Sequence, residues 1–305
     1  MADVTLVPAD SIELPALTAL MNEAYSDYDL PMHVDEGAMR FMLSTFDLDR
    51  AESRVALDGG VPVGVALLGL RGERAWIGGM GVVPAGRRRG LGDTLMKAVI
   101  ERARARGVRE VWLEVLTTNA RAIPLYERLG FRHVRRLDVL RLAAPPATPE
   151  GVSTESATVE QVLEFARLHR RSEEPWQREE GSVRNWVRDG LALEATAAIR
   201  GGRTIGMALH RIAAGRVSML TLVSMPGQAA FATPALLAAA FRPEAEQGLR
   251  WLNLPQDDAA SPIVLSLAPE CEASQHDMRL TLENGTSLGR HDAPQPQREE
   301  RLPER

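Results

Sequence analysis

Two stretches of this chain carry the same layout 142 positions apart, and that repeat constrains the fold more than any composition value does. Residues 54–57 and 61–70 read as strands joined by the hairpin signal Asp58-Gly59-Gly60. The turn Arg71-Gly72-Glu73-Arg74 leads into a further strand over 75–83. A strand over 195–200, the turn Gly201-Gly202, and strands over 204–213 and 217–225 follow in the same order. The offset sets Gly60 on Gly202, Gly64 on Gly206 and Pro84 on Pro226. Residue identity across the offset is weak, but order and spacing agree, which marks a duplicated fold.

The first half has further elements. Residues 14–25 and 35–43 have helical spacing of apolar side chains. Leu91, Leu95, Val99 and Ala103 form one stripe of a helix over 91–106, with Gly107 suited to its end. Residues 108–115 read as a strand, 120–129 as a helix and 131–142 as a last strand. The run Ala143-Ala-Pro-Pro-Ala-Thr-Pro-Glu-Gly151 can continue neither a helix nor a central strand. It predicts a linker over 144–152 between domains 1–143 and 153–283, a division that 305 residues accommodate. The polar segment 284–305 holds three prolines and predicts a disordered tail.

Composition excludes several classes. A net charge of -5 disfavours a nucleic-acid or anionic-membrane partner. The single cysteine, Cys271, allows no intrachain disulfide and suits a reducing cytoplasm. The N-terminus lacks the charged and apolar regions of a signal peptide, and the longest apolar stretch, 61–70, is too short to span a bilayer. The sequence therefore predicts a cytoplasmic protein, as monomer or homodimer. His33 stands alone in a loop, so no metal site is expected.

The chemistry lies in Gly79-Met-Gly-Val-Val-Pro-Ala-Gly-Arg87-Arg-Arg-Gly90-Leu-Gly92-Asp-Thr-Leu-Met. A strand enters an Arg- and Gly-rich loop that opens directly into an amphipathic helix. Unpaired amides and the dipole at that helix start favour a phosphate, and Arg87, Arg88 and Arg89 add donors. A basic run alone reads as a solvated rim. The order strand, loop, helix makes it a polyanion cradle.

These residues resemble the GNAT (Gcn5-related N-acetyltransferase) superfamily. Arg87, Gly90 and Gly92 meet its Arg/Gln-x-x-Gly-x-Gly/Ala signature, and the run Asn119-Ala-Arg-Ala-Ile-Pro-Leu-Tyr126-Glu-Arg-Leu-Gly-Phe131 is similar to its downstream element. The resemblance covers roughly residues 3–142, and the whole chain resembles tandem members. It implies an α+β fold, a mixed central sheet flanked by helices in each half, and acetyl-CoA as cosubstrate. Gly81, Val82 and Val83 would bind the acetyl carbonyl and pantetheine, and the segment Arg87, Arg88, Arg89, Gly90, Leu91, Gly92, Asp93, Thr94 would wrap the pyrophosphate. Asn119 would touch the pantetheine, and Tyr126 would protonate the departing thiolate; the other reading makes Tyr126 a core tyrosine. Asp93 beside the loop and Pro124 inside the Asn-to-Tyr helix depart from the common pattern.

Acyl transfer needs a neutral amine, and a lysine-like amine of pKa ~10.4 is neutral in only about one molecule in 2,500 at pH 7. A general base therefore helps. Glu114 interrupts the apolar run Val111-Trp-Leu-Glu-Val115, where a carboxylate must be paired or open into a cleft. Family members with a similar Leu-Glu-Val stretch use that Glu as base; the other reading pairs it with an arginine. Glu73, in a turn, is a weaker candidate, and Cys271 is a poor nucleophile. Tyr25, Asp27, Tyr28 and Asp29, two carboxylates between aromatic rings, are candidates to receive a cationic amine.

The second half has lost these groups. Arg87 falls on Ala229, Gly90 on Ala232 and Gly92 on Pro234. With Trp112 set on Trp251, Glu114 meets Asn253, Asn119 meets Asp258 and Tyr126 meets Leu265. This predicts a second domain that binds no CoA, with segment 173–178 lining a shared cleft or Trp176 merely packing. The expected activity is acetylation of a small-molecule amine. A peptide or protein amine, and a non-catalytic acyl-CoA sensor, are the alternatives.

Overall fold

A computed structural model describes residues 4–28, 33–242 and 245–282; Asp29 and the segment 284–305 lie outside them. The first half runs β1 (Val4–Pro8), α1 (Leu14–Ala24), α2 (Glu36–Thr45), β2 (Arg54–Asp58), β3 (Val61–Arg71), β4 (Arg74–Val82), α3 (Leu91–Ala105), β5 (Glu110–Leu116), α4 (Ile123–Arg128) and β6 (Arg132–Leu142). The second half repeats this order. It runs β7 (Val152–Ala157), α5 (Val159–His169), α6 (Glu180–Arg188), β8 (Glu194–Arg200), β9 (Arg203–Ala213), β10 (Arg216–Ser224), α7 (Ala229–Ala240), β11 (Leu249–Pro255), α8 (Ser261–Ser266) and β12 (Glu270–Thr281). Strands β1 and β7 and helices α5 and α6 complete the repeat beyond what periodicity had indicated.

Local chemistry accounts for the elements. The β2–β3 and β8–β9 hairpins turn on Gly59-Gly60 and Gly201-Gly202, each pair at positive φ as a tight two-residue turn requires. The stripe Leu91, Leu95, Val99 and Ala103 is buried along α3, and Gly107 follows at φ +75. Helix α5 starts at a capping box between Thr158 and Gln161.

All twelve strands form one mixed sheet, in the order β1-β2-β3-β4-β5-β12-β6-β11-β10-β9-β8-β7. The two halves exchange their final strands. β12 pairs antiparallel with β5, and β6 pairs antiparallel with β11, so each half completes the other's sheet. Among the described residues only β4–β5 and β10–β11 are parallel pairs.

Apolar side chains cover both faces of the first half. One cluster gathers under α3 and α4, with Leu95, Val99, Leu113, Val115 and Phe131. The opposite cluster gathers under α1, with Leu17, Met21, Trp76, Trp112 and Trp176. Trp176 arrives from the second half fully buried and stacks on Trp76 at 6.0 Å between ring centres. Among the described residues no helix is long and apolar enough to cross a membrane.

Candidate active site

Strand β4 pairs with β5 over only three residues, Arg74 with Glu110, Ala75 with Val111 and Trp76 with Trp112. Beyond that point the two strands separate. The β3–β4 ladder breaks where Leu67 faces Gly79 and Leu68 faces Ile77, leaving Gly78 as the extra residue of a bulge. Glycine is required on this lip because α1 packs directly against it. A Cβ on Gly79 would stand 2.4 Å from Met21 Cε, and one on Gly81 2.8 Å from Ala24 Cβ.

The exposed edge of β4 carries a tyrosine cap. The Tyr25 hydroxyl accepts from the Met80 amide at 3.0 Å and donates to the Met80 carbonyl at 3.1 Å. Burial pushes the Tyr25 phenol up to about 12. Backbone alternation puts Val82 on Met80's side of the strand, toward the gap. Gly81 pairs with Val65 of β3, and the Val83 amide donates to Val63 at 3.0 Å. Of the three backbone positions expected to meet the acyl group, Val82 is the one aimed at the gap.

The loop after β4 turns left-handed at Arg88 (φ +61) and again at Gly90 (φ +78). No side chain caps α3, so its first amides are open to an anion. The three arginines divide. Arg87 donates to the Val82 carbonyl at 2.9 Å and the Ala24 carbonyl at 3.2 Å, and grips Asp27 with its other nitrogens. Arg89 pairs with Asp58. Arg88 is exposed and has no partner among the described residues. Asp93 turns to Lys97 at 2.7 Å, which offsets its charge beside the loop. The Thr94 hydroxyl donates to the Gly90 carbonyl, and Gly92 gives α4 room: a Cβ there would lie 3.3 Å from Leu125.

Asp27, expected to receive a cationic amine, is instead held by Arg87 and Arg121. The Arg87 guanidinium keeps its carboxyl well below the usual range. Tyr28 packs edge-on against Tyr25, with ring centres 5.1 Å apart.

Helix α4 begins at Ile123, which leaves Pro124 in its first turn, where no amide is missed. Asn119 lies in the turn before it, its side-chain oxygen accepting from the Ala122 amide at 3.1 Å. Tyr126 is 7% exposed and packs on Phe131. Its hydroxyl makes no hydrogen bond among the described residues. Burial, followed by the nearby Tyr25 and Tyr28, holds the phenol protonated far above its ordinary range. The three tyrosines of the chain thus lie near one another, with Tyr25 bonded to the edge of β4.

Glu114 stands on the other lip. Alternation along β5 turns Leu113 and Val115 toward α3, and Trp112 and Glu114 toward α1. Glu114 Oε2 accepts from Trp76 Nε1 at 2.7 Å and from Gln177 Nε2 at 3.0 Å. Burial first, and Asp277 after it, push the carboxyl up to about 7 against the opposing pull of the two hydrogen bonds and Arg135. Asp277 sits directly across the β5–β12 ladder from Glu114, buried and paired with Arg135 at 2.9 Å. The other reading of Glu114, a carboxylate paired with an arginine, finds no direct contact among the described residues: Arg135 binds Asp277 instead.

Trp76 and Asp277 escaped the sequence reading, and Gln177 entered it only as part of the segment 173–178. Gln177 adjoins Trp176, which the sequence did single out, but nothing in the chain order places either beside residue 114. A cleft of about 490 Å³ also opens at the junction of the halves, lined by Arg71, Arg74, Arg170, Arg178, Glu174 and Glu179, which pair with one another. No residue of the loop before α3 lines it. Glu73 remains an exposed partner of Arg109.

Comparisons with known proteins agree with this architecture. The model of the acetyltransferase (GNAT) family matches residues 15–131. Over 59 residues the chain is 46% identical to the [ribosomal protein bS18]-alanine N-acetyltransferase of Salmonella typhimurium, covering 19% of this chain and 40% of that one. Over 59 residues it is 42% identical to the streptothricin acetyltransferase of Streptomyces lavendulae, covering 19% and 31%. The chain thus spans less than half the length of these curated relatives. A tandem GNAT protein from the clavulanic acid biosynthesis pathway superposes with a TM-score of 0.66 at 17% identity, over 92% of this chain and 98% of that one, a likeness of fold. Residues 15–131, which hold the bulged and splayed β4 and the open start of α3, match the model of the acetyltransferase (GNAT) family, and the first half is a domain of that kind.

Proposed function

We propose that the first half transfers an acetyl group from acetyl-CoA directly to a primary amine, with Glu114 as general base and Tyr126 as general acid. One observation carries this reading. A carboxyl raised to about 7 stands on the β5 lip of the β4–β5 gap, and a protonated phenol with no hydrogen bond among the described residues lies in the cluster on the other face of β5. The two groups lie on opposite faces of β5, so only through the gap can both act on one acyl centre.

The residues fit the cosubstrate. The uncapped amides of α3, the paired left-handed turns at Arg88 and Gly90, and the free Arg88 guanidinium suit a diphosphate. Asn119 keeps its side-chain nitrogen available for the pantetheine arm, and the Val82 lip for the acyl carbonyl. Acetyl-CoA supplies the acyl group and a thiolate leaving group. Glu114 takes the proton from the attacking amine, and the Tyr126 hydroxyl gives its proton to the sulfur. The same desolvation that raises the phenol raises the thiol, so the transfer is not opposed by burial.

The acceptor we infer is a small-molecule amine. Trp176 and Gln177 of the second half press on Trp76 and Glu114, which narrows the approach to the base. The bS18-alanine relative supports a protein N-terminus as the second reading.

Thiol release from acetyl-CoA across small amines and an alanine-terminated peptide tests both. Turnover with at least one small amine and little with the peptide is expected; the reverse moves the assignment to protein acetylation. Tyr126→Phe should lower kcat by about 100-fold with CoA affinity held. A mutant as active as the parent removes Tyr126 from the chemistry. Tight CoA binding without turnover of any amine marks a sensor.

A further inference from the structure

We propose that Gln177, delivered by the second half, is a positioning residue for Glu114: its side-chain amide fixes one carboxylate oxygen and favours the ionised form. This rests on the assignment of Glu114 as base. Gln177 Nε2 and Trp76 Nε1 both donate to the same oxygen, Oε2. Oε1 has no partner among the described residues and remains the atom placed to take a proton. Two donors on one oxygen fix the plane of the carboxylate as well as its charge.

Gln177 is itself held firmly. It is the middle residue of a single turn, Trp176–Arg178. The Trp176 indole donates to the Phe46 carbonyl at 2.9 Å, and its own carbonyl accepts from Arg71 at 2.9 Å and from Ser182 at 2.7 Å. Arg178, 2% exposed, is paired with Glu174. The far oxygen of Gln177 is buried without a partner, so nothing competes to turn the amide round. Turning it would aim that oxygen at the carboxylate.

The charged groups around Glu114 oppose one another. Asp277, across the ladder on β12, disfavours ionisation; Arg135 on β6 favours it. Arg279 pairs with Asp277 and with Glu173, while Glu110 on β5, Arg74 on β4 and Glu179 beside the turn complete the set. Asp277 and Gln177 both come from the second half. Strand exchange thus hands a domain without a cofactor loop control over the protonation of the first half's base.

The test uses the full chain with Gln177→Leu and Gln177→Glu, following kcat/KM against pH by thiol release. Losing the donor should move the acidic limb to higher pH, lowering the rate at about pH 6 by about three- to tenfold. At about pH 9 the Gln177→Leu rate should return to within about twofold of the parent. Gln177→Glu, which sets a like charge beside Glu114, should move the limb further. CoA titration and Tm check that the fold is intact. A limb that stays in place, or a loss equal at every pH, overturns the proposal. Carboxyl carbon resonances of glutamate-labelled protein, with Glu114 assigned by its loss in Glu114→Gln, read the same shift without turnover. A resonance that moves in an enzyme indifferent to Glu114→Gln overturns the base assignment alone; one that does not move overturns the role of Gln177.

Discussion

The two halves contain the same gap and fill it differently. In the first, β4 and β5 part after three paired residues; in the second, β10 and β11 part after Val217–Leu249, Ser218–Arg250 and Met219–Trp251, with a bulge again beside the break. Gly78, Gly79 and Gly81 of the first lip correspond to Leu220, Thr221 and Val223 of the second. The neutral Tyr25 hydroxyl caps Met80, whereas Arg170 reaches the Leu222 carbonyl at 3.3 Å and the Thr221 hydroxyl. Glu174, Asp258 and Arg178 close around it, two carboxylates against two guanidiniums. Helix α7 also begins at Ala229, one turn earlier than the repeat would place it, so the segment that forms the arginine loop in the first half is helix in the second. Pro234, at the place of Gly92, lies inside that helix. Both helices start without a side-chain cap, so the two openings differ in the small residues on the lip and in the arginine loop before the helix.

The largest effect that sharpens this contrast is on stability. Glu174→Ala leaves Arg170 and Arg178 in the filled gap without their shared carboxylate, and should cost about 3–5 kcal/mol in urea unfolding. A loss within about 0.5 kcal/mol would mean that the ion cluster is incidental.

Next comes the open gap. With Glu114 as the proposed base, Glu114→Gln should lower kcat/KM about 100-fold and abolish the acidic limb near the carboxyl's pKa of about 7. In the parent, the rate should rise with pH through that value, since only the ionised carboxylate accepts a proton. The sign for folding is opposite. Because the folded pKa is raised above the ordinary value of 4.5, the native state binds the proton more tightly, and this contribution is lost as pH rises from 4.5 to about 7. Glu114→Gln should flatten that part of a Tm–pH curve. An unchanged curve contradicts the burial of this charge.

The smallest effect concerns the two loops. Arg88→Ala should weaken CoA about tenfold in calorimetry, more at low salt than at high, because its guanidinium is unpaired and exposed. Arg171→Ala, an equally exposed arginine at the filled gap, should change CoA affinity by less than about twofold. Equal losses in the two would place CoA elsewhere.

Much of the framework was legible in the residues. Paired glycines at 59–60 and 201–202 mark hairpins because only they accept consecutive positive φ cheaply, and period-2 and period-3.6 patterns give strands and helices from local sterics and burial. The offset of 139 that sets Trp112 on Trp251 also matches β5 to β11. The order of strand, loop and helix over 79–96 could be read in the same way, since it lies in one contiguous run.

Partners distant in sequence could not. Nothing local distinguishes an arginine that is free, like Arg88, from one held by a carboxylate sixty residues away, like Arg87. Asp27 reads as an open carboxylate until α1 brings it to the loop. The sequence determined that there are two copies of one layout and that one copy lacks the arginine loop. Tertiary structure alone decided that the copies exchange their last strands, and that Glu114 answers to Gln177 and Asp277. Strand pairing across a sheet and buried electrostatics depend on which surfaces meet, and chain order does not encode that contact residue by residue.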